Sequence, residues 1–115
     1  MVYSKTTLEE YEEGIARYPK LEQQIKRQEN LILGHPYNYS HGLGQGKRKN
    51  LKGLRSAHMR GGKYVFLVAI CEDCVGNGHM QLNSRYCGDI CQKEELRRVV
   101  FVAFYQGHDV AYGKL

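Results

Sequence analysis

Cys71-Glu-Asp-Cys74 and Cys87-Gly-Asp-Ile-Cys91 are two close cysteine pairs separated by a polar, glycine-bearing stretch. Thiolates two or three residues apart can both reach one ion, and two such pairs complete a tetrahedral sulfur shell. That is the donor count and spacing of structural zinc. A closed four-thiolate shell leaves no coordination position for a substrate, so zinc here is expected to staple the fold rather than to catalyse. The same residues also allow disulfides or free thiols, and His79 between the pairs is either a replacement for one cysteine or an exposed loop residue. An iron–sulfur cluster takes four cysteines too, but its usual compact spacing is absent.

The second chemistry-bearing feature is charge. The chain has 115 residues and a formal net charge of +5. No acidic residue occurs between Glu29 and Glu72, and that interval holds Lys47, Arg48, Lys49, Lys52, Arg55, Arg60 and Lys63, with His35, His41 and His58. Solvated faces normally mix signs. Seven uncompensated cations on one segment make a field suited to a polyanion, and nucleic acid is the favoured partner. Tyr37 and Tyr39 beside the histidines are either base-stacking residues or part of a solvated loop.

The elements that must position these groups follow from periodicity. Thr6 with Glu9 three residues on reads as a capping box, after which Leu8, Tyr11, Ile15 and Tyr18 fall on one helical face. Pro19 suits the first turn of a second helix, with Leu21, Ile25 and Ile32 as its apolar stripe, widened by Leu31 and Leu33. Gly34 and Pro36 form its stop signal. A helical hairpin over about residues 6–33 is therefore expected, followed by a loop over 35–50. Residues 51–59, 63–70 and 99–105 read as strands, with Arg60-Gly61-Gly62-Lys63 as hairpin turn chemistry. The last two strands are apolar at consecutive positions, so both their faces should be covered.

The expected architecture is a single α+β domain spanning 1–115. In it, the helical hairpin packs on a small antiparallel β-sheet (about 51–112), and the cysteine insert at 71–91 joins the last two core strands. A chain of this size buries somewhat under 70% of its unfolded surface, so a metal clip would add useful stability. Hydrophobic and charged fractions of 42% and 25% are ordinary for a soluble domain. The N-terminus lacks a signal-peptide core, and no apolar run approaches the roughly 20 residues of a membrane helix. No membrane partner is expected, and the chain reads as cytoplasmic.

Leu51-Lys-Gly-Leu54-Arg55-Ser56 running into Gly62-Lys-Tyr-Val-Phe-Leu-Val resembles the middle of RelE/ParE-superfamily toxins. There a lysine-containing strand is followed by a glycine turn and an apolar strand. Val99-Val-Phe-Val-Ala-Phe and then Gly-His-Asp-Val-Ala-Tyr112 resemble that family's last core strand and C-terminal ending. The paired cysteines are similar to those of an archaeal RelE-like subgroup. The likeness covers most of residues 5–112, with both motifs in the family's order. Two departures stand out. The family's N-terminal strand is reduced to residues 1–4, so three or four strands are expected. An arginine within the strand after the turn is replaced by Lys63-Tyr64-Val65, with Arg60 as the nearest substitute.

The resemblance implies the toxin of a type II toxin–antitoxin pair, a ribosome-dependent mRNA endoribonuclease partnered by an antitoxin protein. Cleavage by the RNA 2′-hydroxyl needs a proton acceptor, cations for the crowded phosphate and a proton donor to the departing 5′-oxygen. On this reading Lys52, Arg55 and Arg60 neutralise the phosphate. His108 is the acid or base, and Tyr112 stacks on a base or orients the phosphate. Lys47, Arg48, Lys49 and Lys63 add polyanion attraction. Cys71, Cys74, Cys87 and Cys91 hold a structural zinc, and no catalytic cofactor is called for. Two other functions share these features: a non-enzymatic, zinc-stabilised nucleic-acid-binding module, and a gyrase inhibitor of the same superfamily.

Overall fold

A strand of seven consecutive apolar residues needs cover on both faces, and Tyr64–Ile70 has it in the middle of a sheet. The computed structural model describes residues 2–42, 53–76 and 97–107. In chain order its elements are β1 (Ser4–Thr7), α1 (Glu9–Ala16), a 3₁₀ turn (Pro19–Leu21), α2 (Glu22–Gly34), β2 (His41–Gly42), β3 (Arg55–Met59), β4 (Tyr64–Ile70), α3 (Cys71–Gly76) and β5 (Arg98–Gln106). The five strands form one sheet in the order β1-β5-β4-β3-β2. The β2–β3, β3–β4 and β4–β5 pairs are antiparallel, whereas β1 lies parallel to β5. The sheet is therefore mixed and five-stranded, in place of the antiparallel one of three or four strands that the sequence pattern predicts.

Thr6, expected to cap a helix, does not: Thr6 and Thr7 pair with Val100 and Phe101 of β5, and the Leu8 N–H donates to Phe101 O at 3.0 Å. Ladder bonds hold these threonines extended, and α1 follows with Leu8 at its N-cap and no side-chain cap. Glu9, Glu10 and Glu12 crowd its first turn, where carboxylates favour the positive end of the helix dipole. The segment expected as a loop over 35–50 holds a two-residue edge strand, His41–Gly42, paired with Ser56 and Arg55. Two residues carry no periodicity to read.

Both faces of β4 and β5 are buried, as their apolar runs require. The register explains how. Leu67 faces Ala103, but Val68 faces Phe101, so Val102 is an extra residue, a β-bulge. Unbroken alternation would send Phe101 and Phe104 to opposite faces. The bulge turns both toward the helices, where they meet Tyr11 and Phe66: Tyr11–Phe101 ring centroids lie 5.1 Å apart and Phe66–Phe104 centroids 4.9 Å apart. Leu21, Ile25 and Ile32 complete this core. The other face gathers Val65, Leu67, Val100, Val102 and Ala103 with Leu54, Cys71 and Cys74.

Two features seat the helices. Gly14 of α1 rides against β5 so closely that a Cβ there would stand 2.5 Å from Phe104 O. Glu29 of α2, 4% exposed, accepts the Tyr11 hydroxyl proton and lies 2.8 Å from Lys5 Nζ. It thus ties α2 to α1 and to β1. Helix α2 ends at Gly34, where the stop signal falls, with the His35 N–H bonded to Leu31 O.

The β3–β4 hairpin follows its expected chemistry. Gly61 and Gly62 have φ of +65° and +94°, the pair of left-handed residues that primed hairpin turns require. Arg60 precedes them at φ +57°, a conformation that strains any residue bearing a Cβ. Of the cysteine insert, only its beginning as α3 falls within the described residues; Cys87 and Cys91 lie outside them.

Candidate nucleic-acid interface

Strand β3 sets Arg55 and Arg60 apart, Arg55 at its first residue and Arg60 just past its last. Five extended residues span about 16 Å, and the two guanidinium groups turn to different neighbours. Arg55 donates from Nε to Ser40 Oγ at 2.7 Å and from Nη2 to Ser40 O at 2.9 Å. Its guanidinium sits 5.1 Å from the Tyr37 ring centroid. Ser40 Oγ in turn donates to Pro36 O at 2.5 Å. Arg55 therefore fastens the segment after α2 onto the sheet. Forked hydrogen bonds combined with ring stacking make that job specific to arginine.

At the other end of β3, Arg60 donates from Nε to Gln24 Oε1 on α2 at 2.8 Å. Arg17, Lys20 and Arg60 line a cleft of about 520 Å³ walled by Tyr18 and Tyr64. The Tyr18 and Tyr64 rings meet edge to face at 5.3 Å, and Lys63 Nζ lies 5.8 Å from the Tyr64 ring centroid. Among the described residues, no carboxylate lines this cleft. A second cavity, about 440 Å³ against α1 and α2, is lined by Glu12, Glu22 and Glu29 as well as lysines. Mixed charge there leaves the cationic cleft as the better suited of the two to an anion.

A third cluster lies where α2 ends. The Tyr3 and Tyr37 hydroxyls both donate to Glu72 Oε1, Tyr37 at 3.3 Å, and Arg97 sits 5.2 Å from the Tyr3 ring centroid. The hydrogen bond to Glu72, followed by burial, pushes the Tyr3 pKa up. Burial, followed by the charges of Glu72 and Asp73, does the same for Tyr37. Both hydroxyls stay protonated near neutral pH, so they act as donors and not as bases.

Cys71 and Cys74 are each 3% exposed and stand three apart at the start of α3, on one helical face. Buried Arg98 donates from Nε to Cys71 Sγ at 3.3 Å, and Cys74 Sγ lies 3.5 Å from Gly53 O. Among the described residues no three His, Cys, Asp or Glu side chains gather as a metal-holding group.

Of the residues singled out by sequence, Arg55, Arg60, Lys63, Cys71 and Cys74 are placed by these interactions. Lys47, Arg48, Lys49, Lys52, His108, Tyr112, Cys87 and Cys91 lie outside the described residues. Arg17 and Lys20 escape sequence reasoning because they stand outside the acid-free interval. Their one signal is the tight connection around Pro19, which brings both to the hairpin tip.

No family model matches the chain, and no curated protein matches it. Among solved structures, it is similar to a chain of the toxin–antitoxin complex RelBE2 from Mycobacterium tuberculosis. The TM-score is 0.57 at 14% sequence identity, over 92% of this chain and 99% of that one. The RelE-like fold expected from the two sequence motifs is the fold this chain has.

Proposed function

We propose that this chain is the toxin of a toxin–antitoxin pair, acting in the cytoplasm as a ribosome-dependent mRNA endoribonuclease. The supporting observation is a fold shared, over nearly the whole length of both, with a chain of a toxin–antitoxin complex. The acid-free basic interval adds the field that an RNA substrate requires. In the proposed reaction the 2′-hydroxyl attacks the adjacent phosphate and the 5′-oxygen departs. His108 takes the proton from the 2′-hydroxyl as base or gives one to the 5′-oxygen as acid, and Tyr112 orients the phosphate or stacks on a base. Lys52 and Arg55 offset the developing charge, with Arg60, beyond the other end of β3, adding its field from a distance. Arg55 contributes by field and by positioning, since its Nε and Nη2 already serve Ser40.

Induced expression followed by primer extension on cellular mRNA tests this reading. Codon-phased cuts and growth arrest are expected, and both should weaken with His108→Ala or Tyr112→Phe in a folded domain. Intact messages with tight RNA binding would instead favour the non-enzymatic module, for which the cationic cleft at the hairpin tip speaks. A neighbouring reading frame whose product co-purifies with this chain identifies the antitoxin.

Zinc belongs to the same proposal as a structural ion on Cys71, Cys74, Cys87 and Cys91. The two described sulfurs fit it: both are buried one helical turn apart, and Cys71 accepts an N–H bond of the kind that supports a ligating thiolate. Metal analysis of chelator-free protein should find close to one zinc per chain, with a melting temperature that falls when the ion is removed. A metal-free protein of unchanged stability would end the idea.

A further inference from the structure

We propose that the cleft at the β3–β4 hairpin tip is a phosphate-binding site for single-stranded RNA, gripping the nucleic-acid backbone with Arg17, Lys20 and Arg60. The inference deepens the RNA-directed reading above and rests on it for the identity of the polyanion. Three separate pieces of chain, the end of α1, the 3₁₀ turn and the hairpin, each bring one cation to a shared wall that holds no carboxylate among the described residues. Like charges gathered this way repel one another unless an anion joins them. Half-buried Tyr18 gives the cleft an aromatic side chain beside the cations, seated on Tyr64, which is itself buried against Phe104. Cations beside an aromatic ring are the combination that holds single strands.

Backbone geometry supplies the second, independent observation. Arg60 stands at φ +57°, directly before two glycines that also have positive φ. Glycine is the residue such a position favours, so the arginine is kept there against local strain, as side chains at working sites often are. Its Nε–H is engaged by Gln24 Oε1 at 2.8 Å, which fixes the plane of the guanidinium and leaves its terminal nitrogens for a phosphate, the fork geometry arginine offers. Arg55 lies at the far end of β3 and faces Ser40 and Tyr37, so the cleft lies apart from that end of the strand and shares only Arg60 with the residues that the sequence singles out.

The test is fluorescence anisotropy with an end-labelled single-stranded RNA of about 12 nucleotides, comparing the full chain with Arg17→Gln, Lys20→Gln and Arg60→Gln. Arg27→Gln, on an exposed position of α2 outside the cleft, is the charge-matched control. Each cleft variant should bind about 3- to 10-fold more weakly than the control, and removing one phosphate-binding cation should reduce the log K against log salt slope by about 0.7. Arg60→Gly relaxes the backbone, so it should melt no lower than the parent yet show the same weakening. Retained affinity in Arg60→Gly, or cleft variants no weaker than Arg27→Gln, would overturn the site. Inorganic phosphate titrated into the complex separates sources. Displacement of RNA by phosphate in the parent, but not in the triple variant, supports the backbone site. Phosphate binding that leaves RNA affinity untouched makes it a free-anion site and refutes the proposal. Weakened RNA binding by the cleft variants of a protein that never arrests growth would sink the toxin reading while keeping the site. Arrest with unchanged affinity would do the reverse.

Discussion

Gly14 and Phe104 fix how closely the first helix lies on the sheet: a Cβ at Gly14 would come within 2.5 Å of the Phe104 carbonyl oxygen. The obstacle is backbone in a buried strand, which cannot swing aside as a flexible side chain would.

Gly14→Ala is accordingly expected to destabilise the fold, although alanine improves intrinsic helix propensity by about 1 kcal/mol. Separating α1 from β5 should outweigh that gain and leave a net cost of about 1–3 kcal/mol. A thermal melt checks it. An unchanged or higher melting temperature would mean that the helix can lift away freely.

The Glu29 carboxylate is the point where β1, α1 and α2 are joined by polar bonds. Glu29→Ala strands a buried tyrosine hydroxyl and removes the partner of Lys5, and should cost about 3 kcal/mol. Tyr11→Phe removes a donor while leaving the carboxylate with Lys5, and should cost about 1 kcal/mol. Denaturant unfolding of the two variants should preserve that order. Equal losses would show that packing around Tyr11, and not its hydroxyl, carries the interaction.

Alkaline pH probes the same hydroxyl. Burial, and then the hydrogen bond to Glu29, pushes the Tyr11 pKa well above its ordinary value. The unfolded chain releases this proton near pH 10 while the folded chain keeps it, so folding binds more protons there. Stability from Tyr11 is full below about pH 10 and declines above it by about 1.4 kcal/mol per pH unit. Tyr3 and Tyr37 shift in the same direction, so the parent's decline is steeper than one group gives. Tyr11→Phe should make the limb above about pH 10 shallower by one proton's worth, measured by urea unfolding at stepped pH.

Arg55→Lys keeps the charge but not the paired bonds to Ser40 or the face over Tyr37. It should loosen residues 36–42 and cost about 1–2 kcal/mol. Faster amide exchange at His41 and Gly42, with β4 unchanged, is the expected signature. Uniformly faster exchange would point to global destabilisation instead.

Sequence signals are legible wherever the physics is local. The apolar run of β4 announces a doubly covered strand, Gly61-Gly62 announces its turn, and Gly34 with Pro36 marks the end of α2. Thr6 misleads because a capping box and a strand threonine look alike until the partner strand is known, and that partner is β5. The bulge at Val102 leaves no mark, since valine fits either register. At the site, counting cations finds Arg55 and Arg60 but does not tell that one is committed to Ser40 and the other stands in a cleft. Arg17 and Lys20 join that cleft through chain reversal, which a linear charge count does not see.

The parallel pairing of β1 with β5 has a consequence for how the chain comes into being. The Ser4 hydroxyl bonds to the Arg97 carbonyl, 93 residues further on, so the first strand of the sheet waits for its partner until almost all of the described chain has been synthesised. Pairings so distant in sequence form late and slowly. The assembled sheet, and any activity that depends on it, therefore waits until β5 has been synthesised. A protein proposed to act on translating ribosomes would carry no finished sheet while its own ribosome has yet to reach β5.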